Sequence, residues 1–269
     1  MTTRMTVQRL GRLIVDGDTD AVRAAVQDSP RLLTGTVERE GQGGWTPLHL
    51  AVACGRADVV RVLVEAGADL TARTEGHRTP LHVALQHAPD LAPLLLELGA
   101  AVDAPSAAYL DDVDRLTEEL DAGAPLTDPA TGVDLLAWAA FGGSARTARL
   151  LLDRGADADG GALHAATAAG SLELVRLLLD AGADVDRHDP DTGRTPLHSA
   201  VAAGPSGEAP EIVGLLLDAG ADVDATTHDG ASALDISRVA AARSRRADEG
   251  QATGNDALAD LLVTRGASH

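Results

Sequence analysis

The chain has 269 residues, 45% hydrophobic but 1% aromatic, and carries a formal charge of −19. That hydrophobic content supports a packed core and excludes global disorder, while the scarcity of aromatics means the core is built from Leu, Val and Ala. The acidity, with a pI near 4.6, excludes a nucleic-acid partner, because a phosphate-binding face needs clustered positive charge to displace counterions.

All 22 basic residues are Arg, and Asn occurs at Asn255 alone. This bias fits a GC-rich coding sequence such as that of a high-GC bacterium, although a halophile would also be acidic and poor in Lys. The single Cys54 rules out an internal disulfide and fits a reducing compartment. The opening MTTRMTVQRLGRLIVDG has no apolar run long enough for a signal peptide, and no segment approaches the ~20 apolar residues of a membrane span. A cytoplasmic protein is expected.

Along the chain, a helical cap over about 6–33 comes first. From Gly44 a longer pattern begins, GWTPLHLAVACGRADVVRVLVEAGADL. Thr46 is placed to cap a helix through its hydroxyl, with Pro47 at the first helical position, where a missing N–H costs nothing. Gly55 supplies the turn to a second helix. Asp58 favours that helix's positive end, Val59, Val62 and Leu63 form its apolar stripe, and Gly67 ends it with positive φ. A hairpin closes each unit, as where Ala221-Asp222-Val223-Asp224 leads to the turn residues Asp229-Gly230.

The unit recurs. Thr46-Pro47-Leu48-His49 returns 33 residues later as Thr79-Pro80-Leu81-His82, then as Gly161-Ala162-Leu163-His164 and Thr195-Pro196-Leu197-His198. The closing Gly-Ala pair occurs at Gly67, Gly99, Gly123, Gly155, Gly182, Gly220 and Gly266. This pattern resembles the ankyrin-repeat family, whose signature includes T-P-L-H-x-A at a period of about 33 residues. The resemblance implies an all-α fold, an α-solenoid with short β-hairpins. About seven to eight stacked units including caps would make it up, with a concave face of hairpins and first helices.

The units fall at 44–103 (two regular repeats), 104–124 (degenerate), 132–159, 161–185, 194–224 and 231–269. Leu110–Leu116 matches the 16–22 segment of the cap, and each precedes a longer linker, at Gly35–Gly43 and at Thr127–Ala130. The single array 1–269 is therefore expected to comprise two sub-blocks, 1–103 and 104–269, with a bend near residue 104. Gly99 to Gly123 spans 24 residues and Gly155 to Gly182 spans 27, too few for full hairpins, so gaps are expected in the concave wall. Gly204–Pro210 and Arg243–Asn255 are expected to be exposed loop insertions.

Candidate sites follow from residue type and spacing. His49, His82, His164 and His198 share one repeat position, and the resemblance assigns them a structural role, tying each helix start to the adjacent hairpin. His82 and His87 lack the i, i+4 spacing of a helical metal pair. Asp184–Gly193 superficially looks like a calcium loop but has Asp189 and Thr195 where an EF-hand needs Gly and Glu. No nucleophile, acid/base or phosphate-loop motif is present. Catalytic residues, metals and cofactors are thus not expected.

Protein recognition is the expectation. Its residues are the hairpin-tip group Arg73, Glu75, His188, Asp189, His228 and Asp229, with Gln86, His87 and Phe141 behind them. The rare aromatics Trp45, Tyr109 and Trp138 join that set, since aromatic anchors often dominate interfaces. Filling of space beside the short hairpins is the alternative role for Tyr109 and Trp138. Replacing Phe141 and Asp189 by Ala is expected to weaken capture of the partner with little loss of stability. Two rival functions remain: an inhibitor or immunity-type protein whose acidity neutralises a basic partner, and an enzyme or biosynthetic accessory with a small-molecule pocket near 104–160. A monomer is expected in each case.

Overall fold

Local capping chemistry starts the helices where the sequence predicts. Thr46, Thr79 and Thr195 hold extended backbone and form capping boxes with the histidine three residues on, and a proline follows each threonine. The computed structural model describes residues 5–39, 41–205, 207–247 and 254–267.

In chain order the elements are α1 (Val7–Asp16), α2 (Thr19–Asp28), a 3-10 turn (Pro30–Thr34), β1 (Val37–Arg39), β2 (Gln42–Trp45), α3 (Pro47–Ala53), α4 (Ala57–Glu65), α5 (Pro80–His87), a 3-10 turn (Pro89–Leu91) and α6 (Ala92–Glu97). Then come α7 (Ala104–Tyr109), α8 (Val113–Asp121), α9 (Leu135–Phe141), α10 (Ala145–Asp153), α11 (Ala162–Ala169), α12 (Leu172–Asp180), α13 (Pro196–Ala202), α14 (Ala209–Asp218), α15 (Ala233–Ala247) and α16 (Gly254–Thr264). Helix pairs with short hairpins are the architecture that the repeat pattern implies.

The chain divides into two compact units, residues 1–106 with 129–132, and residues 107–128 with 133–269. In the first, α1, α3 and α5 pack in sequence, and α2 packs on α4. In the second, the first helices α9, α11, α13 and α15 form one row and the second helices α8, α10, α12, α14 and α16 another. Leu48, Leu63, Leu81 and Leu95 fill the first unit, and Leu136, Leu151, Leu178 and Leu216 the second, all essentially inaccessible to solvent. Each such side chain contributes about 1.5–3 kcal/mol through burial. The many intervening alanines let the helices approach closely.

Three expectations change. The segment read as a linker from Gly35 to Gly43 contains β1 and part of β2, which pair antiparallel with Val37 opposite Trp45. The Thr127–Ala130 segment opens a hairpin whose stem is a bridge between Thr127 and Asp134. The Arg-rich start of the last insertion is helix, because α15 runs on to Ala247 through residues with good helix propensity. The rest of that insertion up to residue 253 lies outside the described residues, as does Ser206 in the other. Around Ser206, Gly207 and Glu208 are exposed between α13 and α14.

Candidate functional site

The repeat histidines act as ties between consecutive units. At His49, the Thr46 amide donates to Nδ1 (3.3 Å), which leaves Nε2 to donate to the carbonyl of Arg78 in the following hairpin at 3.0 Å. His198 repeats this, with the Thr195 amide at 3.1 Å and the Ala231 carbonyl at 3.2 Å. His164 reaches the carbonyl of Arg194 at 2.9 Å. Burial lowers the pKa of His49 and His198 below the ordinary 6.5, outweighing the hydrogen bonds to carbonyls that favour the proton. Both are therefore neutral structural groups.

The two short junctions are closed differently. After α6 the chain passes directly into α7, and His82 finds a carboxylate in place of a hairpin carbonyl, with Nε2 2.9 Å from Asp103 Oδ1. Asp103 also accepts from the Ser106 amide (3.2 Å) and hydroxyl (2.7 Å) at the start of α7. Burial raises its pKa, but the hydrogen bond and charge of His82 with those of Ser106 prevail, holding it at about 2.

After α10 the second short junction, through Gly160 and Gly161, lies against Asp134. A Cβ at Gly160 would overlap the Asp134 carboxylate, so glycine permits that approach. The histidine position of this repeat holds Ala137, 5% exposed. This junction therefore has no histidine tie.

Where that hairpin is missing, a groove of about 520 Å³ opens. Phe141, Ala165 and Ala168 line its apolar side; Arg187, His188 and Arg194 line its polar side, with Asp189 and His164 also at the surface. Phe141 is 54% exposed, a large apolar side chain left in water. The 187–194 hairpin is stiffened by Asp189, whose Oδ1 accepts from the hydroxyl and amide of Thr192 (2.6 and 2.8 Å) and from the Asp191 amide (3.2 Å). These bonds, with the Thr192 hydroxyl contributing most, hold the Asp189 carboxyl below the usual range despite some desolvation. The next tip stacks onto this one, with the His228 amide donating to the Thr192 carbonyl at 3.0 Å. A neighbouring depression of about 350 Å³ is lined by Thr192, Arg194, His228 and Asp229.

Of the residues expected to bind a partner, Phe141, His188 and Asp189 therefore share one groove, and His228 and Asp229 line the depression beside it. Arg73, Glu75, Gln86 and His87 are exposed in the first unit. Arg73 donates to the His77 carbonyl (2.7 Å), and Glu75 accepts from the Gly43 amide (3.0 Å), so both brace hairpins.

Two aromatics must leave the set. Trp45 is 4% exposed, packed near His49 and His87 with the Arg39 guanidinium 5.4 Å from its ring centre. Trp138, 1% exposed, is core of α9. Tyr109 is half-buried, with burial raising its pKa. Its carbonyl accepts from the Ser144 hydroxyl.

Sequence reasoning missed Arg187, Arg194 and His164 as groove residues. The available signal was position, since Arg187 and Arg194 flank the His188-Asp189 tip. The Asp-rich run holds backbone: Asp159 accepts from the Asp184 amide (2.6 Å) and Asp186 from the Asp222 amide (2.9 Å), which links successive hairpins. Among the described residues no cluster of three His, Cys, Asp or Glu could hold a metal ion, and no helix is long and apolar enough to cross a membrane.

Comparison with known proteins agrees with this geometry. The family described as Ankyrin repeats (3 copies) matches residues 14–106, 107–189 and 136–227. Human Protein phosphatase 1 regulatory subunit 27 is 40% identical over 79 residues, 29% of this chain and 49% of that protein. Bos taurus Protein fem-1 homolog A is 37% identical over 94 residues, 30% of this chain and 14% of its own. Human tRNA endonuclease ANKZF1 is 42% identical over 71 residues, 25% and 10% respectively. The chain thus matches at most about half the length of these relatives, and what they share with it is repeat. Its capped helix pairs, histidine ties and family matches from residue 14 to 227 place the chain in the ankyrin-repeat family.

Proposed function

We propose that this chain is a non-catalytic, monomeric protein-recognition module that holds a protein partner in the groove above the 155–161 junction. Ankyrin repeats generally mediate protein–protein interaction. The observation that carries the assignment is the convergence of exposed Phe141 with the 187–194 hairpin at a place where the concave wall lacks its own hairpin. A large aromatic side chain beside arginines is the composition that concentrates binding energy at interfaces. The reading includes a bacterial, cytoplasmic setting, supported by the Arg-only, cysteine-poor composition.

The test is affinity capture from the source organism, with Phe141→Ala and Val239→Ala chains run beside the unchanged one. Val239 is also exposed, at 52%, but lies outside the groove. A partner retained by Val239→Ala and lost by Phe141→Ala supports the site. Equal recovery on both variants would sink it.

The charge of −19 favours a second reading, inhibition of a basic partner by the acidic surface. Association that weakens steeply with salt but ignores Phe141→Ala would select it.

A further inference from the structure

We infer that the groove takes an acidic peptide segment carrying one large apolar side chain, an inference that rests on the recognition function proposed for the same groove. The surface is strongly acidic overall, yet this wall presents two arginines. Arg187 and Arg194 are exposed, and neither guanidinium has a hydrogen-bond or ion-pair partner among the described residues. Elsewhere in the same unit several arginines are paired within the fold, Arg154 with Asp121 at 2.9 Å, Arg265 with Asp218 at 2.6 Å and Arg149 with Glu173 at 3.7 Å.

The acid on this wall, Asp189, has Oδ1 committed to its own turn. Asp191 and Asp229 border the adjoining depression, where Arg194 also faces. Asp229 feels the charge of Arg194 without bonding to it, and Arg187 has no carboxylate bonded to it, so each guanidinium is a fork of donors open to a carboxylate from outside. Opposite it, Phe141 and the methyl groups of Ala165 and Ala168 form a shallow apolar surface. A side chain of Phe or Leu size would cover Phe141, and flanking Asp or Glu would meet Arg187 and Arg194. A basic segment would set its cations against these arginines, a repulsive arrangement within the groove.

The experiment selects a random phage-displayed peptide library on the full chain. The enriched peptides are then measured as fluorescein-labelled synthetic peptides by anisotropy. The expected consensus is acidic around one aromatic or large aliphatic residue. Arg187→Gln with Arg194→Gln should weaken binding by about tenfold or more, as should Phe141→Ala. Far-ultraviolet circular dichroism of each variant should match the unchanged chain. A basic or uncharged consensus still lost in Phe141→Ala would overturn the acidic occupant and leave the groove as the site. Peptides whose binding ignores Phe141→Ala would overturn the groove itself. A library that yields no enrichment would also reject this inference.

Discussion

Two junctions in this protein lack a full hairpin, and their difference shows what a hairpin does for the repeat. At 99–103 the histidine is kept and its acceptor is replaced: Asp103 receives His82 and caps the next helix. At 155–161 the histidine itself is replaced, by Ala137, and the chain closes through Gly160 and Gly161 beneath Asp134. The first solution fills the missing space with a buried polar contact. The second leaves it open, and the open space is the groove.

The sharpest way to break this contrast is His82→Ala. His82 is 1% exposed, so its loss leaves a cavity and removes the donor from a half-buried carboxylate. A loss of about 3 kcal/mol is expected, read as a lower urea midpoint. A midpoint within error of the unchanged chain would show that the Ser106 bonds close this junction alone.

The converse substitution restores the repeat's own histidine at the other junction. Ala137→His forces an imidazole into a buried site that now holds a methyl group, and a loss of about 1–3 kcal/mol is expected. Stabilisation by this change would mean that an acceptor exists near Ala137 and that the two junctions are alike.

The pH response should separate the first short junction from the regular repeats. Asp103 is held at about 2 against an ordinary 3.8, so the unfolded chain takes up this proton first. Its contribution is complete above the ordinary value and disappears as pH falls towards 2. His49 and His198 are lowered from 6.5, so the unfolded chain also binds their protons first, and stability drops as pH falls below 6.5. Urea midpoints measured from pH 8 to 2 should therefore fall in two stages. Asp103→Asn should shrink the lower stage, to which Asp189 also contributes, and leave the upper one; a lower stage of unchanged size would contradict the assignment.

Much of this was legible because it is local. Thr46, Pro47 and His49 specify a helix start within four residues, and Gly67 specifies its end, so the repeat could be read from the chain. The spacing of Gly99, Gly123, Gly155 and Gly182 also located both short junctions. How each is closed depends on contacts between units, and nothing local says that Asp103 meets His82 or that Asp134 covers Gly160. Trp45 and Trp138 misled for a related reason. Rarity marks an aromatic as informative, but the packing of neighbouring helices decides whether it faces core or water. The same dependence hid Arg187 and Arg194, since an arginine is free or paired according to the carboxylates that adjacent repeats bring to it.

The smallest effect on stability is expected from Phe141→Ala, and that smallness is the point of the measurement. Phe141 ends α9 with 54% of its surface in water, and the buried face of that helix is supplied by Leu135, Leu136 and Trp138. Removing it should change the urea midpoint by an amount equivalent to less than about 0.5 kcal/mol. Asp189→Ala is expected to differ, because it deletes the acceptor of three bonds within the 187–194 hairpin and should cost about 1 kcal/mol. The double replacement would therefore confuse binding with stability. Equal midpoints for the two single variants would show that the Asp189 turn is not what holds the hairpin, and loss of stability in Phe141→Ala would show that this ring belongs to the core.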